Sequence, residues 1–204
     1  MSAVVGVILA GGLARRMGGG HKGLQHLGGR PILAHVIERL GPQVAALVLN
    51  VNGEAGAFAS FGLPIAPDTV PGFAGPLAGV LAGLRWAEAH WPQASDIVTV
   101  PGDGPFLPLD LVTRLLQARA AQGADLACAV SDGQAYPVVG LWPLRFADDL
   151  ERAMVEDEIR KVDVWTARHR LAQVAFSGEP VDPFFNVNRP EDLAMAERLL
   201  VGAG

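Results

Sequence analysis

The sequence predicts an α/β fold in which a single domain, residues 1–204, is built around one doubly wound and mostly parallel sheet. Short apolar and β-branched runs alternate with stretches of helical period, which is the pattern of parallel strands joined by crossover helices. Half of the 204 residues are apolar, which suits one domain with a sizeable core. The sequence shows no repeat, linker or low-complexity tract that would divide it.

The predicted elements follow one another along the chain. The first strand, residues 4–9, is apolar throughout, as expected of a strand covered on both faces. Apolar residues at helical spacing predict helices at 31–40, which stops at Gly41-Pro42, at 77–90 and around 111–116. The other predicted strands, with Gly133 at the bend between two of them, are 45–51, 63–66, 97–100, 125–130, 137–142 and 172–176. A helical region near 145–168 and a last helix from Pro190 complete the order.

Charge, cysteine content and hydropathy exclude several classes of function. The counts of 16 Lys plus Arg and 21 Asp plus Glu give a net charge of −5, so no global positive field exists to hold long nucleic acid. Cys128 is the only cysteine, which excludes a disulfide framework and a thiolate zinc site, and we expect it to be buried in a strand. The apolar N-terminus lacks a basic flank and is far shorter than the ~20 residues of a membrane span. We therefore expect a cytoplasmic protein that binds neither membrane nor nucleic acid.

The loop after the first strand carries the strongest chemical signal. Its sequence over residues 9–24, LAGGLARRMGGGHKGL, combines six glycines with the cations Arg15, Arg16 and Lys22. Glycine lets backbone N–H groups approach phosphate oxygens, and the cations add positive charge. The P-loop and dinucleotide-binding spacings both fail, because no glycine precedes Lys22 and the first two glycines are adjacent. The loop is therefore predicted to bind phosphate in another way, and the alternative is a flexible turn with solvated cations.

Aspartates follow two of the predicted strands. Asp103 comes after the strand at 97–100 and Asp68 after the strand at 63–66. Both carboxylates are therefore expected at the edge of the sheet where doubly wound folds bind ligands. Mg²⁺ binds through one or two carboxylates, with phosphates and water completing its octahedron. Either aspartate could instead form a turn or cap a helix.

The loop resembles the signature of the molybdenum cofactor guanylyltransferases, LAGGxxRRMGGxxKGL, within a wider nucleotidyltransferase group. The segments GDGP at Asp103, D…GPLAG from Asp68 and FFNVNRPEDL near the C-terminus are similar to further blocks of this family. The resemblance implies a Rossmann-like fold of the nucleotide-diphospho-sugar transferase type, with a nucleotide-binding half at 1–105 and an acceptor-binding half at 106–204. It implies transfer of GMP from GTP to the terminal phosphate of molybdopterin, with Mg²⁺ as cofactor and pyrophosphate as the leaving group.

The resemblance also implies roles for residues at the nucleotide. Arg16 and Lys22 would neutralise charge on the leaving pyrophosphate, and Asp103 would hold Mg²⁺. Asp68 would contact the nucleotide or a second metal ion. The full set implied to contact GTP is Leu9, Ala10, Gly11, Gly12, Lys22, Asn50, Asp68 and Asp103. Without the resemblance, Asn50 would be read as a turn residue.

A second set of residues is implied near the acceptor. Gly75 and Gly79 would open a helix N-terminus toward the ligand, or would only permit close helix packing. Asn186 and Asn188 would hydrogen-bond the pterin or order the active-site loop, and Asn188 could equally cap the last helix. The segment QAYPVVGLW and the pair at 160–161, Arg-Lys, loosely match the pterin-receiving region, although a solvated helix face explains that pair equally well.

Three other functions compete with this hypothesis. They are a cytidylyltransferase acting on the same pterin, a more distant sugar-1-phosphate nucleotidyltransferase, and a non-catalytic protein that binds or delivers the cofactor. The LAGG, RRMGG and FNVN segments favour guanine. Delivery alone needs no metal, so Asp68 and Asp103 together with Lys22 argue against it. Besides GTP and molybdopterin, the implied partners are cofactor-biosynthesis proteins and acceptor molybdoenzymes in transient contact.

Overall fold

Strands and helices alternate in the predicted order in the computed structural model, which describes residues 3–11, 20–72 and 75–202. The strands are β1 (Ala3–Leu9), β2 (His26–Leu27), β3 (Arg30–Pro31), β4 (Ala46–Asn50), β5 (Ile65–Ala66), β6 (Ala94–Pro101), β7 (Leu126–Ser131), β8 (Gln134–Pro143) and β9 (Leu171–Phe176). The helices are α1 (Ile32–Leu40), α2 (Pro76–His90), α3 (Leu111–Ala121), α4 (Ala147–Val155), α5 (Val162–Thr166) and α6 (Pro190–Gly202).

Seven strands form one sheet in the order β5-β4-β1-β6-β8-β7-β9. β1 pairs in parallel with β4 and β6, β4 with β5, and β7 with β9, whereas β8 is antiparallel to both of its neighbours. The doubly wound, mostly parallel α/β fold is therefore confirmed. From β1 the chain passes to β4 and β5 on one side and then returns to β6 on the other. The carboxyl ends of β1 and β6 thus flank the topological switch point, where such sheets bind ligands.

Helices cover both faces of the sheet, which explains why β1 is apolar throughout. Val4 and Ile8 pack on the face that also holds α1 and α3, and Val5 and Val7 pack on the face with α2, α4 and α5. Alternate residues of a strand point to opposite faces, so a strand between two helical layers buries all of them. A third cluster joins α6 to the β2–β3 hairpin through Leu27, Ile32, Val187 and Ala196.

Four features differ from the sequence prediction. The β2–β3 hairpin and a 3₁₀ helix at Ala55–Phe61 were not predicted, because neither is long enough to show a period. The helical region near 145–168 divides into α4 and α5. Glu158 lies in the break between them with a φ of +53°, a left-handed conformation that a continuous helix cannot contain. The strand predicted from 137 begins at Gln134, directly after the tight turn at Gly133.

Cys128 lies buried in β7, as predicted. Burial raises the pKa of its thiol to about 11. The thiol therefore stays protonated near neutral pH and is a poor nucleophile. Among the described residues, none of the helices is both long and apolar enough to cross a membrane.

Candidate active site

An ammonium group joins three distant parts of the chain at the switch point. Lys22 Nζ lies 3.3 Å from Asp103 Oδ2 and also donates a hydrogen bond to Asn188 Oδ1. Lys22 ends the loop after β1, Asp103 follows β6, and Asn188 precedes α6. Three of the residues singled out from the sequence therefore meet at the carboxyl ends of β1 and β6.

Asp103 is a mostly buried carboxyl, with 16% of its side chain exposed. Burial raises the pKa of Asp103, and the charge of the neighbouring Lys22 acts in the opposite direction but more weakly. The ionised form of this carboxyl therefore depends on nearby positive charge. A bound metal cation would favour the ionised form of Asp103, as the Lys22 ammonium does.

Close backbone packing fixes the pair of Lys22 and Asp103. The Val187 N–H donates to the Asp103 carbonyl at 2.9 Å, which ties the segment before α6 to the end of β6. Gly23 lies against Gly102, and a Cβ at Gly23 would approach the Gly102 carbonyl oxygen to 2.9 Å. The position after Lys22 therefore has no space for a side chain unless the backbone shifts.

The two predicted asparagines of the C-terminal segment differ in their hydrogen bonding. Asn188 accepts from Lys22 and donates through Nδ2 to the Asn186 carbonyl at 3.3 Å, so its side chain does not cap α6. Asp192 Oδ2 instead accepts from the N–H groups of Asn188 and Arg189, each at 2.9 Å. Asn186 Oδ1 is buried and has no hydrogen-bond partner among the residues that the structure describes. A buried amide oxygen left unpaired is unfavourable, so this atom is suited to accept from a ligand.

Asn50 and Asp68 meet where β4 and β5 end. Asn50 Nδ2 donates to the Ala66 carbonyl at 3.0 Å and to Asp68 Oδ1 at 2.9 Å. Asn52 donates to Asp68 Oδ2 at 2.7 Å and accepts from the Asp68 N–H at 2.8 Å. Two neutral amides therefore hold this carboxylate in one orientation. Asn52 was not singled out from the sequence, although its spacing of two from Asn50 was the available signal.

Two clefts open at this edge of the sheet. The Asp68 cleft has a volume of about 340 Å³ and is lined by Leu9, Gly11, Asn50, Asn52, Asp68, Gly75 and Pro76. The Tyr136 cleft has a volume of about 320 Å³ and is lined by Leu9, Pro76, Pro101, Ala135, Tyr136, Pro137, Val138, Val139 and Asn186. Both volumes lie in the range of small-molecule sites. The clefts share Leu9 and Pro76, so two ligands could lie side by side.

The glycines at the start of α2 serve different geometric needs. Gly75 directly precedes the helix with a φ of +149°, a conformation that favours glycine, and it lines the Asp68 cleft. A side chain at Gly79 would collide with the side chains of Asn50 and Leu9. Gly79 therefore allows α2 to pack closely against the ends of β1 and β4.

The remaining predicted residues fall in three places. Gly12 and Arg16 lie outside the described residues. Ala10 is buried, and its N–H donates to the Asn50 carbonyl at 2.9 Å, so this amide joins two strands. Arg160 donates to the Met154 carbonyl at 2.9 Å, in the last turn of α4, which is a common use of a cation near a helix end.

The donors around Asp103 fit a divalent cation that is completed by a substrate. Within residues 3–11, 20–72 and 75–202, no group of three or more Asp, Glu, His or Cys could hold a metal ion by itself. Mg²⁺ does not need such a group, because phosphate and water oxygens fill most of its octahedron. The atoms that Lys22 contacts are hard oxygens of one carboxylate and one amide, which are ligands that Mg²⁺ accepts.

Known proteins resemble this chain over nearly its full length. The sequence profile of the MobA-like NTP transferase domain matches residues 6–173. A molybdenum cofactor guanylyltransferase from Bradyrhizobium sp. (strain ORS 278) is 56% identical over 198 residues, which are 97% of this chain and 93% of that protein. One from Rhodopseudomonas palustris (strain BisB5) is 56% identical over 197 residues, covering 97% of this chain and 94% of that protein.

A solved structure supports the same relationship. The molybdopterin-guanine dinucleotide biosynthesis protein A from Archaeoglobus fulgidus superposes with a TM-score of 0.76 at 26% sequence identity. The superposition covers 98% of this chain and 100% of that one.

Proposed function

Because the chain belongs to the molybdenum cofactor guanylyltransferase family, we infer that it transfers GMP from GTP to the terminal phosphate of molybdopterin. The products are pyrophosphate and molybdopterin guanine dinucleotide. One observation of the structure carries the mechanism: the Lys22 ammonium is held by Asp103 and Asn188 at the switch point of the sheet. Positive charge is thus fixed at the edge of the sheet where the two clefts open.

We assign the Asp68 cleft to the nucleoside of GTP. Its polar wall consists of one carboxylate and two amides that are already ordered by their mutual hydrogen bonds. Such groups suit the hydroxyl and N–H donors of a nucleoside. Its lining residues all lie between positions 9 and 76, which supports the division of the chain into a nucleotide-binding half at 1–105 and an acceptor-binding half.

We assign the Tyr136 cleft to the pterin acceptor. Its wall is formed by consecutive residues of β8, among them the ring of Tyr136 and two valines, which suit a flat heteroaromatic ring. Asn186 lines the same cleft, and its buried Oδ1, which has no partner among the described residues, would accept a hydrogen bond from an N–H group of the ligand once the side chain turns toward it. Because the two clefts share Leu9 and Pro76, a pterin bound here would have its phosphate close to the nucleotide.

The proposed reaction needs no general base from the protein. The second pKa of a phosphate monoester is about 6, so the acceptor phosphate is already anionic near neutral pH. One of its oxygens attacks the α-phosphorus of GTP in line, the bond to the β-phosphate oxygen breaks, and pyrophosphate leaves with that electron pair. Lys22, together with Arg16, would neutralise the charge that develops on the leaving group.

The family is one of metal-dependent nucleotidyltransferases, and for this chain we propose Mg²⁺ as the ion. Asp103 would hold it, and when bound it would neutralise charge on the phosphate oxygens. Transient contacts with cofactor-biosynthesis proteins and acceptor molybdoenzymes, and a cytoplasmic location, remain predictions of the sequence.

The deciding experiment offers GTP and CTP separately to the purified chain with molybdopterin and Mg²⁺. Product dinucleotide and released pyrophosphate are both quantified. We expect turnover with GTP to exceed that with CTP by roughly 10²-fold, because a site built to hydrogen-bond one base rejects another. Preferential use of CTP would instead identify a cytidylyltransferase. A chain that binds molybdopterin but forms no product with either nucleotide would be a delivery protein.

A further inference from the structure

We propose that Tyr136 and Asp182 are a positioning pair that aligns the Tyr136 cleft with the segment carrying Asn186 and Asn188. The inference rests on the proposed function, because it takes this cleft to be the acceptor site. Tyr136 lies on β8, whereas Asp182 lies in the loop between β9 and α6. Tyr136 belongs to the segment QAYPVVGLW, which the sequence matches loosely to the pterin-receiving region, whereas Asp182 was not singled out from the sequence.

The tyrosine is held at both ends. Its hydroxyl donates to Asp182 Oδ2 at 2.8 Å. Its ring packs against Phe184 with the centroids 5.0 Å apart, and Phe184 in turn packs edge-on against Phe176 at 5.2 Å. The orientation of this wall of the cleft is therefore set by the hydroxyl as well as by the ring.

Asp182 uses its second carboxylate oxygen to shape the loop. Asp182 Oδ1 accepts from the Phe184 N–H at 3.0 Å, and the Asp182 carbonyl accepts from the Phe185 N–H at 3.1 Å. This is the way in which aspartates commonly close a turn. One carboxylate thus connects β8 to the loop that leads to Asn186.

The other end of the same loop is tied to the reaction centre. The Val187 N–H donates to the Asp103 carbonyl at 2.9 Å, and Asn188 accepts from Lys22. The loop from 182 to 188 is therefore fixed at one end by Tyr136 and at the other by Asp103. A displaced start of the loop would move Asn186, which lines the Tyr136 cleft, relative to the acceptor.

The pair should affect the acceptor and leave GTP largely unaffected. The lining residues of the Asp68 cleft lie between positions 9 and 76, and none of them belongs to this loop. Burial, reinforced by the hydrogen bond to Asp182, raises the pKa of Tyr136 to about 12. The hydroxyl is therefore a donor throughout the neutral range, and the effect of removing it should not depend on pH there.

Two conservative variants and a matched control test the pair. Tyr136→Phe keeps the ring but removes the donor, and Asp182→Asn keeps the size but presents an amide to the tyrosine. Ser177→Ala removes hydrogen bonds to Glu179 in the preceding segment and serves as the control. Initial rates of the full chain with GTP, molybdopterin and Mg²⁺ give KM for each substrate.

We expect Tyr136→Phe to raise KM for molybdopterin roughly tenfold while KM for GTP stays within about twofold. In the double variant Tyr136→Phe/Asp182→Asn, KM for molybdopterin should be about that of the more affected single variant, because both substitutions remove the same hydrogen bond. Ser177→Ala should change neither KM. The pairing would be overturned if Tyr136→Phe folded but left KM for molybdopterin unchanged, or raised KM for both substrates equally. It would also be overturned if the effects of the two substitutions on KM for molybdopterin added up in the double variant.

Hydrogen exchange provides a readout that requires no substrate. Tyr136→Phe should speed exchange at the amides of Phe184 and Phe185, and Ser177→Ala should not. An inactive wild-type chain would refute the proposed function, and exchange alone would then decide the pairing. Unchanged protection at these amides in Tyr136→Phe would overturn it.

Discussion

Asp68 and Asp103 both follow parallel strands of one sheet, yet their surroundings differ. Asp68 is held by two neutral amides, those of Asn50 and Asn52, beside an open cleft. Asp103 is mostly buried and paired with the Lys22 ammonium. Amides orient a carboxylate without neutralising it, whereas a buried carboxylate needs a cation to stay ionised. The same residue type at equivalent strand ends thus suits a nucleoside in one region and phosphates with their cations in the other.

The order of the strands explains the difference. Asp68 follows β5, which is an edge strand, and Asp103 follows β6, which lies inside the sheet beside β1. The segment before α6 covers the end of β6, where the Val187 N–H donates a hydrogen bond to the Asp103 carbonyl. Burial and cationic pairing therefore follow from a central position, and an open polar cleft follows from a position at the edge.

The largest expected effect separates the two carboxylates directly. Asp103→Asn should lower turnover by roughly 10³-fold, because a neutral amide oxygen holds a divalent cation much less tightly than a carboxylate does. The fold should persist, since the amide oxygen can still accept from Lys22. Pyrophosphate release measures turnover, and circular dichroism checks the fold. If turnover stayed within tenfold of wild type, Asp103 would not be the metal-holding carboxylate, and the proposed difference between Asp68 and Asp103 would be wrong.

The second prediction concerns the cation partner. Lys22→Met should raise KM for GTP by roughly 10- to 100-fold, because a charge-assisted contact to phosphate is lost. The Lys22 ammonium lowers the pKa of Asp103, so its removal should raise that pKa further. Asp103 would then protonate at a higher pH, and the acid limb of the pH–rate profile should move upward.

A Lys161→Met variant is the matched control for that experiment, because Lys161 is an exposed lysine at the start of α5. It should leave both KM for GTP and the acid limb unchanged. An acid limb that stays in place or moves downward in Lys22→Met would show that Asp103 does not set it.

The third prediction concerns the edge region. Asp68→Asn should raise KM for GTP about tenfold and change kcat by no more than about threefold. The new amide keeps one acceptor oxygen, so its NH2 group would face the amide donor of either Asn50 or Asn52, and that side of the cleft wall would reorganise. Steady-state kinetics with varied GTP test this. A loss of kcat as large as that of Asp103→Asn would remove the distinction between the two carboxylates.

The smallest expected effect is that of Asn52→Ala. Asn50 would still hold Asp68 Oδ1, so only one side of the carboxylate is released. Asn52→Ala also releases the Asp68 N–H, which is exposed and can bond to water, so we expect KM for GTP to rise only about three- to fivefold. A larger rise than in Asp68→Asn would mean that Asn52 itself contacts the nucleotide.

Much of this arrangement could be predicted from the sequence. The order of strands and helices follows from period and β-branched runs, and the strand-end positions of Asp68 and Asp103 follow from the rule for doubly wound sheets. Cys128 could be placed in a buried strand from its neighbours alone. The β2–β3 hairpin could not be predicted, because strands of two residues have no period to detect.

The partners of the site residues were beyond sequence patterns. Lys22 and Asn188 are 166 positions apart, and only the folded chain brings them together. Tyr136 and Asp182 meet across β8 and a loop that has no periodic structure. The difference in burial between Asp68 and Asp103 depends on strand order, which local propensity does not encode.

The most direct test of these distinct roles measures how strongly Mg²⁺ improves GTP binding, by isothermal titration calorimetry with and without the metal. We expect wild type and Asp68→Asn to gain affinity for GTP by roughly tenfold or more when Mg²⁺ is added. Asp103→Asn should gain less than about twofold, because it lacks the carboxylate that couples metal to nucleotide. The reverse result, with the gain lost in Asp68→Asn and kept in Asp103→Asn, would contradict the assignment.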